Sequence, residues 1–273
     1  MNPGESTPRP RVRVSNPQPP PISRLMVAVR AVFAAVLLIA ALYGFHRFEQ
    51  FLIMDTRFAL NGPDADSSTI HIQGATHASQ RTIESVFADD MGKSVYLLPL
   101  ADRRATLRTV DWVKDASVAR VWPNQVLVRV AERKPVAFLT LAPSRFGLID
   151  EDGVILPPAT DRFHLPVLHG VQASDSIADR RERVQRMLRV LRDLGPNADK
   201  VAEVDVTDRD DIKVTQAYDN RMVTLLLGDQ DFAVRYQNFA NHYAEIREKL
   251  PDANTLDLRL EDRITVVDDT GAQ

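Results

Sequence analysis

The chain has 273 residues, 44% of them hydrophobic and 26% charged, with a formal net charge of −3 and no cysteine. That length suits two modest domains better than one small module. The missing cysteines exclude a disulfide framework, a thiolate metal site and a cysteine nucleophile together. A near-neutral balance also argues against a general nucleic-acid binder, which would carry a basic excess.

Charge is unevenly distributed along the chain. Residues 1–30 hold Arg9, Arg11, Arg13, Arg24 and Arg30 against Glu5 alone, so a basic start of +4 precedes a body of −7. Seven of the 17 prolines fall between Pro3 and Pro21. Such a stretch buries too little surface to offset chain entropy, so residues 1–24 are expected to be a disordered, cytoplasmic Pro/Arg-rich tail with polyproline II character.

Residues 31–45 (AVFAAVLLIAALYGF) carry no charge, and with residues 25–30 they make an apolar stretch of 21 residues. As a helix this is roughly 31 Å long, the thickness of a bilayer's hydrocarbon core. Its eight Val, Leu, Ile and Phe residues between positions 32 and 45 favour insertion by about 2.5–5 kcal/mol, and Arg30 can snorkel to the headgroups. A cleaved signal peptide fits poorly, because no pair of small residues with A-x-A spacing lies between Leu37 and Gln50. A buried soluble helix would need a polar face, which this run lacks. Arginines crowd the N-terminal flank, whereas Arg47 and Arg57 mix with Glu49 and Asp55 on the other side. The positive-inside rule therefore places the tail in the cytoplasm and residues 46–273 outside.

Beyond the span, residues 46–58 are expected to continue as a juxtamembrane helix, with a linker through residue 67 broken at Asn61-Gly62-Pro63. A first α+β domain is expected over residues 68–134. Its strand at residues 69–73 leads to a helix capped by Ser79, which buries Ile83, Val86, Phe87 and Met91 and stops at Gly92. A second helix follows Pro99, with Leu100, Leu107 and Val110 apolar. Strands at residues 113–121 and 125–132 close a three-stranded sheet with helices on one face. Val126, Val128 and Val130 alternate as a half-buried strand should.

The second domain is expected over residues 135–267, as mixed α/β with a mainly antiparallel sheet, followed by a tail at 268–273. Asp152-Gly153 marks a hairpin between residues 145–149 and 154–156. A helix at residues 177–194 carries Val184, Leu188, Leu191 and Leu194 on one side and ends at Gly195-Pro196. Strand patterns recur at residues 201–206, 212–215 and 222–227. A second helix aligns Phe232, Tyr236, Phe239, Tyr243, Ile246 and Leu250 and stops at Pro251; this aromatic stripe is read as core. Strands at 255–260 and 264–267 finish the domain.

Candidate chemistry is sparse. Gly92-Lys93-Ser94 lacks the glycine five positions earlier that a phosphate loop needs, since Phe87 stands there. The pairs His71 and His77, and His164 and His169, lack the helical spacing of zinc ligands. Residues 205–211 (DVTDRDD) lack the glycine and closing glutamate of a calcium loop, and no G-x-S-x-G elbow is present. The expectation is a protein that is not an enzyme, with no cofactor, metal or small-molecule substrate.

Three linked stretches carry a family resemblance. Asp111 to Pro123 (DWVKDASVARVWP) resembles the signature "W-V, then A-x-V-x-R-x-W-P" of the FtsQ/DivIB family of bacterial division proteins, at Trp112-Val113, Ala116, Val118, Arg120, Trp122 and Pro123. Glu132 to Ala137 (ERKPVA) and Leu148 to Val154 (LIDEDGV) are similar to further family stretches, and Leu256 to Arg259 (LDLR) is a fourth match. The residues themselves read as strand ends and turns that maintain the fold. The resemblance implies a first domain of POTRA type and a second β domain, both periplasmic, in a single-pass inner-membrane protein at the division septum. It further implies a divisome scaffold, essential for division, that links early cytoplasmic division proteins to septal peptidoglycan synthesis. Its implied partners are FtsB and FtsL, with others of the septal complex, bound at the terminal edge strand through Arg259, Leu260, Ile264, Thr265, Val266 and Val267. Exposed strand edges can accept a partner strand. Leu260 replaces a family aromatic, and for Leu258 and Leu260 an inner-face packing role is an equal alternative. A different POTRA carrier in envelope assembly or secretion would need a long C-terminal barrel, and a membrane-tethered hydrolase would need a nucleophile or metal set. Alkaline phosphatase fused after Gln273 should be active in cells, and an inactive fusion would overturn the outward topology.

Overall fold

A computed structural model describes residues 24–61, 69–142, 145–260 and 263–267. The expected disordered tail before residue 24, the Gly62-Pro63 break with the linker that follows, and the 268–273 tail lie outside the described residues. The chain divides into two compact units, parted between Asp55 and Thr56.

The first unit holds helix α1, Arg24–Met54. Its 31 residues include a window of mean hydropathy 2.6, and none of that window is buried within the chain. This helix is long and apolar enough to cross a membrane, and it covers the expected juxtamembrane segment only as far as Met54, four residues short of the expected end at Phe58. It stops ahead of Asn61: the Asp55 N–H bonds to the Phe51 carbonyl in a last turn, and residues 56–58 wind more tightly.

In the second unit, strands β1 (Ile70–Gln73), β2 (Val113–Val121) and β3 (Gln125–Glu132) form a sheet in the order β1-β3-β2. Strand β1 runs parallel to the central β3, with Ile70 opposite Val126 and Ile72 opposite Val128, while β2 and β3 form an antiparallel hairpin. The alternation in β3 behaves as its sequence requires: Val126, Val128 and Val130 are buried. Helices α2 (Gln80–Ser85) and α3 (Leu100–Leu107) connect β1 to β2. The Ser79 hydroxyl accepts the Thr82 N–H and caps α2. This helix ends at Ser85, well short of Gly92, because residues 88–90 tighten into a 3-10 turn. Asp90 in that turn is buried and takes a two-pronged bond from Arg103 of α3, at 2.6 and 3.0 Å. Ile83 and Phe87 still reach the core.

Among the described residues the second sheet has nine strands: β4 (Pro135–Ala142), β5 (Arg145–Asp150), β6 (Ile155–Leu156), β7 (Val167–His169), β8 (Val201–Asp205), β9 (Ile212–Tyr218), β10 (Arg221–Gly228), β11 (Thr255–Asp257) and β12 (Thr265–Val266). They lie in the order β12-β11-β10-β9-β8-β7-β4-β5-β6. Most neighbours are antiparallel, and the β7–β4, β7–β8 and β10–β11 pairs are parallel. Parallel neighbours need a crossover. Helix α4 (Ile177–Leu194) supplies it between β7 and β8, and α5 (Phe232–Lys249) between β10 and β11. The fold is α+β, as the sequence predicts.

Sequence periodicity misses two strands. Residues 135–142 (PVAFLTLA) form one apolar run, so no alternation betrays β4, yet only Ala137 and Leu139 are fully buried. Strand β7, at three residues, is too short for a pattern. On α4 the buried residues are Val184, Met187, Val190 and Leu194, a stripe turned from the expected one. Leu188 and Leu191 sit at its flank, lining a groove with Val136, Leu165 and Val201. The aromatic stripe of α5 is core: Phe232, Tyr236, Phe239 and Tyr243 are buried, and Tyr218 packs on Phe239 and Tyr243 with centroids 5.5 and 4.2 Å away. Leu250 lies past the helix end and is exposed.

The core under the first sheet continues beyond residue 134, since Leu148 and Leu156 pack in the same cluster as Ile70, Trp112 and Val126. Polar residues fasten this junction. One Glu132 oxygen accepts the N–H groups of Thr76, His77 and Ala78 at 2.7–2.8 Å. The other meets His77 Nδ1 at 2.8 Å, and His77 Nε2 meets Asp161 on the loop between β6 and β7 at 2.9 Å. The imidazole stacks on Trp112, 4.5 Å between centroids. Arg133 donates to the buried Asp150 at 2.6 Å. Asp150 also accepts the N–H groups of Asp152 and Val154, which shapes the turn to Gly153, whose φ is +79°. A Cβ there would sit 2.6 Å from the Arg181 nitrogen on α4, so only glycine allows this approach.

Hydrogen bonding to Glu132 raises the His77 pKa above its ordinary value, with Asp161 adding to the effect and burial opposing it. A raised histidine pKa stabilises the fold fully below about pH 6.5 and loses that contribution as pH rises through the folded value. The urea midpoint of residues 56–273 should therefore fall as pH climbs through that window, and His77→Gln should remove this part of the pH dependence. An unchanged profile in the variant would contradict the assignment.

Candidate partner-binding edge

The six residues singled out in the sequence fall at one end of the nine-stranded sheet. Strand β12 is the outermost strand there among the described residues. It pairs antiparallel to β11, with Leu256 opposite Val266 and Asp257 opposite Thr265, and the Val267 N–H bonds to the Thr255 carbonyl at 3.0 Å. In an antiparallel pair, alternate residues turn their N–H and C=O groups to opposite sides. With Val267 bonded inward, the backbone groups of Val266 point away from β11. The side chains divide differently: Ile264 and Val266 pack against the core, whereas Thr265 and Val267 are exposed.

Both terminal strands are shorter than the sequence suggests. β11 ends at Asp257 instead of Leu260, and β12 covers only Thr265–Val266 instead of residues 264–267. The cause lies in Asp257. Its carboxylate takes the Arg259 N–H at 3.0 Å, diverting that donor from the sheet ladder into a side-chain turn. The Leu258 N–H still bonds to the Leu226 carbonyl, and Leu258 is buried. Leu260, two residues on, is exposed. Of the two leucines with an open alternative, Leu258 packs inward and Leu260 does not.

Arg259 is placed by two carboxylates. Its Nε and Nη2 donate to Asp257 at 2.9 and 2.6 Å, and Nη1 reaches Asp211 at 3.4 Å. The guanidinium holds the Asp257 carboxyl below its ordinary pKa, against the opposing effect of burial. Asp211 goes the other way: burial pushes it up, although the Gly228 N–H donates to it at 3.1 Å and Arg259 lies close. Asp211 belongs to the acidic 205–211 turn between β8 and β9, so this turn orients Arg259. No linear pattern signals that link, because 48 residues separate the two. About half of the Arg259 side chain is exposed, leaving its outer face open to an acidic partner group.

Beside this arginine a groove of about 800 Å³ runs between α5 and the end of β11, lined by Val234, Arg235, Asn238, Leu258 and Leu260. Arg235 anchors its floor by donating to the Leu227 carbonyl at 2.5 Å. On the other side of β11, Arg221 bonds to the Pro251 carbonyl and to Asn254 at 2.9 Å. These bonds fix the loop that leads from α5 into the edge. The arrangement offers an outward backbone edge, one oriented cation and a groove whose lining mixes Val234, Leu258 and Leu260 with Asp231, Arg235, Gln237 and Asn238, which suits an extended peptide with an acidic residue. The histidine pairs read from the sequence lie elsewhere: His77 in the junction already described, and His169 beside Glu203 at 3.4 Å.

Comparison with known proteins gives two family matches. Residues 66–133 match the POTRA domain of FtsQ type, and residues 137–259 match the C-terminal domain of cell division proteins FtsQ/DivIB. The second match ends at Arg259, so β12 lies beyond it. The cell division protein FtsQ of Koribacter versatilis is 30% identical over 256 residues, which cover 91% of this chain and 70% of that protein. The FtsQ of Caulobacter vibrioides is 33% identical over 134 residues, 45% of this chain and 44% of the relative. That of Geotalea daltonii is 27% identical over 162 residues, 57% of this chain and 58% of the relative. With both domains matched in order and one relative aligned along nearly the whole chain, this protein belongs to the FtsQ/DivIB family of bacterial cell division proteins.

Proposed function

We propose that this chain is a non-enzymatic scaffold of the divisome, anchored in the inner membrane by α1, with residues 46–273 in the periplasm at the division septum. The domains are assigned to residues 68–134 and 135–267, and the first 24 residues to a cytoplasmic tail. In this reading the protein connects early cytoplasmic division proteins to the septal peptidoglycan synthesis machinery. Its partners are FtsB and FtsL, which add a strand to β12. The observation that carries the proposal is the backbone of Val266, turned outward on a two-residue edge strand beside the half-exposed Arg259.

Physical chemistry supports the edge as a docking point. An added strand satisfies backbone donors and acceptors that otherwise need water, which supplies affinity with little dependence on side chains. Arg259 would then set register by meeting a carboxylate, a charge-assisted bond whose geometry Asp257 and Asp211 already fix. Pre-orientation of this kind lowers the ordering cost of association. Exposed Thr265 and Val267 would contact the partner's side chains, while Ile264 and Val266 hold the edge on the core.

Val266→Pro removes an outward N–H while leaving the Val267–Thr255 bond to β11, so it separates partner pairing from strand integrity. It should weaken binding of soluble FtsB–FtsL to residues 56–273 by roughly tenfold or more, the loss of one buried hydrogen bond with a clash against an added strand. Ile264→Glu should weaken it as well, by loosening the strand from the core. Titration calorimetry decides: unchanged affinity in both variants would exclude this edge as the binding site.

A further inference from the structure

The loop between β6 and β7, residues 157–166, is held almost entirely by side chains. Pro157, Pro158 and Pro166 bracket it, and no backbone group of residues 157–165 bonds to the backbone of another described residue. Among the described residues, the 2.9 Å contact between His77 Nε2 and Asp161 is the only hydrogen bond that residues 157–165 make. The rest of the attachment is apolar. Phe163 lies nearly parallel to Trp112, with centroids 6.5 Å apart, and 6.1 Å from the His77 ring. Ala159 and Leu165 pack on the same cluster. Pro158, Ala159, Asp161 and Phe163 of this loop line a cleft of about 330 Å³ together with Phe138 of β4 and Leu148 of β5.

The one polar fastening depends on protonation. Glu132 on β3 faces His77 Nδ1 and Asp161 on the loop faces Nε2; these are the charged groups that meet the ring, since Trp112 and Phe163 beside it carry none. An imidazolium donates from both nitrogens, whereas a neutral imidazole has one N–H for two carboxylates. Exposure decides which carboxylate keeps it. The Glu132 side chain is 12% exposed and that of Asp161 58%, so water replaces the lost donor at Asp161 far more readily than at Glu132. The Nε2 lone pair is then left facing a carboxylate oxygen, a contact in which neither atom donates. Hydrogen bonding to Glu132, joined by Asp161 and opposed by burial, raises the His77 pKa, so this exchange takes place above about pH 6.5.

We propose that His77 is a pH-sensitive latch for the β6–β7 loop: as an imidazolium it holds Asp161 and keeps the loop closed against Trp112, and as a neutral imidazole it releases Asp161 so that the loop loosens and the cleft beside Phe163 widens. The proton leaves Nε2 for solvent, and both carboxylates stay ionised throughout. Glu132 keeps its three backbone donors in either state, so the entry to α2 is unaffected and the change is confined to the loop. A two-state element biased by one histidine in this way is a conformational switch within the junction of the two sheets.

The chain has no cysteine, so Thr160→Cys, at an exposed loop position, supplies a single thiol for a nitroxide. Electron paramagnetic resonance of the full chain in detergent micelles then reads loop mobility at pH 5.5 and pH 9. The ratio of mobile to immobile signal should rise about two- to fivefold between them, the scale of one partly exposed ion pair, with a midpoint matching the titration of His77 followed by nuclear magnetic resonance. A nitroxide at Arg189→Cys on α4 should show no change. Asp161→Asn alters only an exposed side chain and leaves Glu132 and His77 in place; it should make the loop mobile at both pH values. His77→Gln should abolish the pH step. The latch is overturned by an unchanged line shape between pH 5.5 and 9, by a step that persists in His77→Gln, or by an Asp161→Asn loop as immobile at pH 5.5 as that of the parent.

Discussion

The carboxylate of Glu132 is the point on which the structure of residues 56–267 turns. It stands at the end of β3, the central strand of the first sheet, and takes three successive backbone N–H groups from residues 76–78. Those donors lie just ahead of α2, where the chain leaves β1, and the innermost of them, on the buried Ala78, would otherwise be an unsatisfied amide. Burial alone would raise this acid's pKa, yet the hydrogen bonds from Ala78, His77 and Thr76 keep it below the ordinary glutamate value. The same group orients His77, which reaches Asp161 across the junction. One side chain thus sets the entry to α2, the end of the central strand and the attachment of the β6–β7 loop.

A second polar anchor works beside it. Arg133 and the nearly buried Asp150 form a close pair, and Asp150 also organises the turn to Gly153. Pairs of this kind give little net stability, because desolvation offsets much of the attraction, but losing one partner strands a buried charge. Their consequence is geometric. They lock the start of the nine-stranded sheet to the end of the three-stranded one, over a shared apolar cluster that includes Trp112, Leu148 and Leu156. The far end of the large sheet terminates in the two-residue strand β12, the outermost strand among the described residues.

The local elements of this chain are legible where periodicity is strong. The apolar helix α1, the alternating valines of β3, the aromatic stripe of α5 and the Ser79 cap follow from spacing and residue type alone. Boundaries shift where a tertiary bond competes with the local pattern. Asp257 removes Arg259 from the ladder and shortens β11; the Asp90–Arg103 pair accompanies the tightening after α2. Strand β4 escaped because its apolar run is broken by Thr140 alone, too little for a period to be read. On α4, leucine content suggests the stripe, while packing under the sheet turns Met187 and Val190 inward.

By itself the amino-acid sequence determined the apolar helix, the α+β order of elements and, through the stretch from Trp112 to Pro123 and its companions, the family. These depend on neighbours within a few positions, or on ordered motifs, and so survive in one dimension. Only the tertiary structure decided that Asp211 orients Arg259 across 48 residues, that Glu132 anchors α2, that Leu258 packs inward while Leu260 does not, and that Phe58 packs edge-on against Trp122. Those pairings arise from sheet register and helix crossovers, which bring distant residues together at no spacing a linear pattern could record.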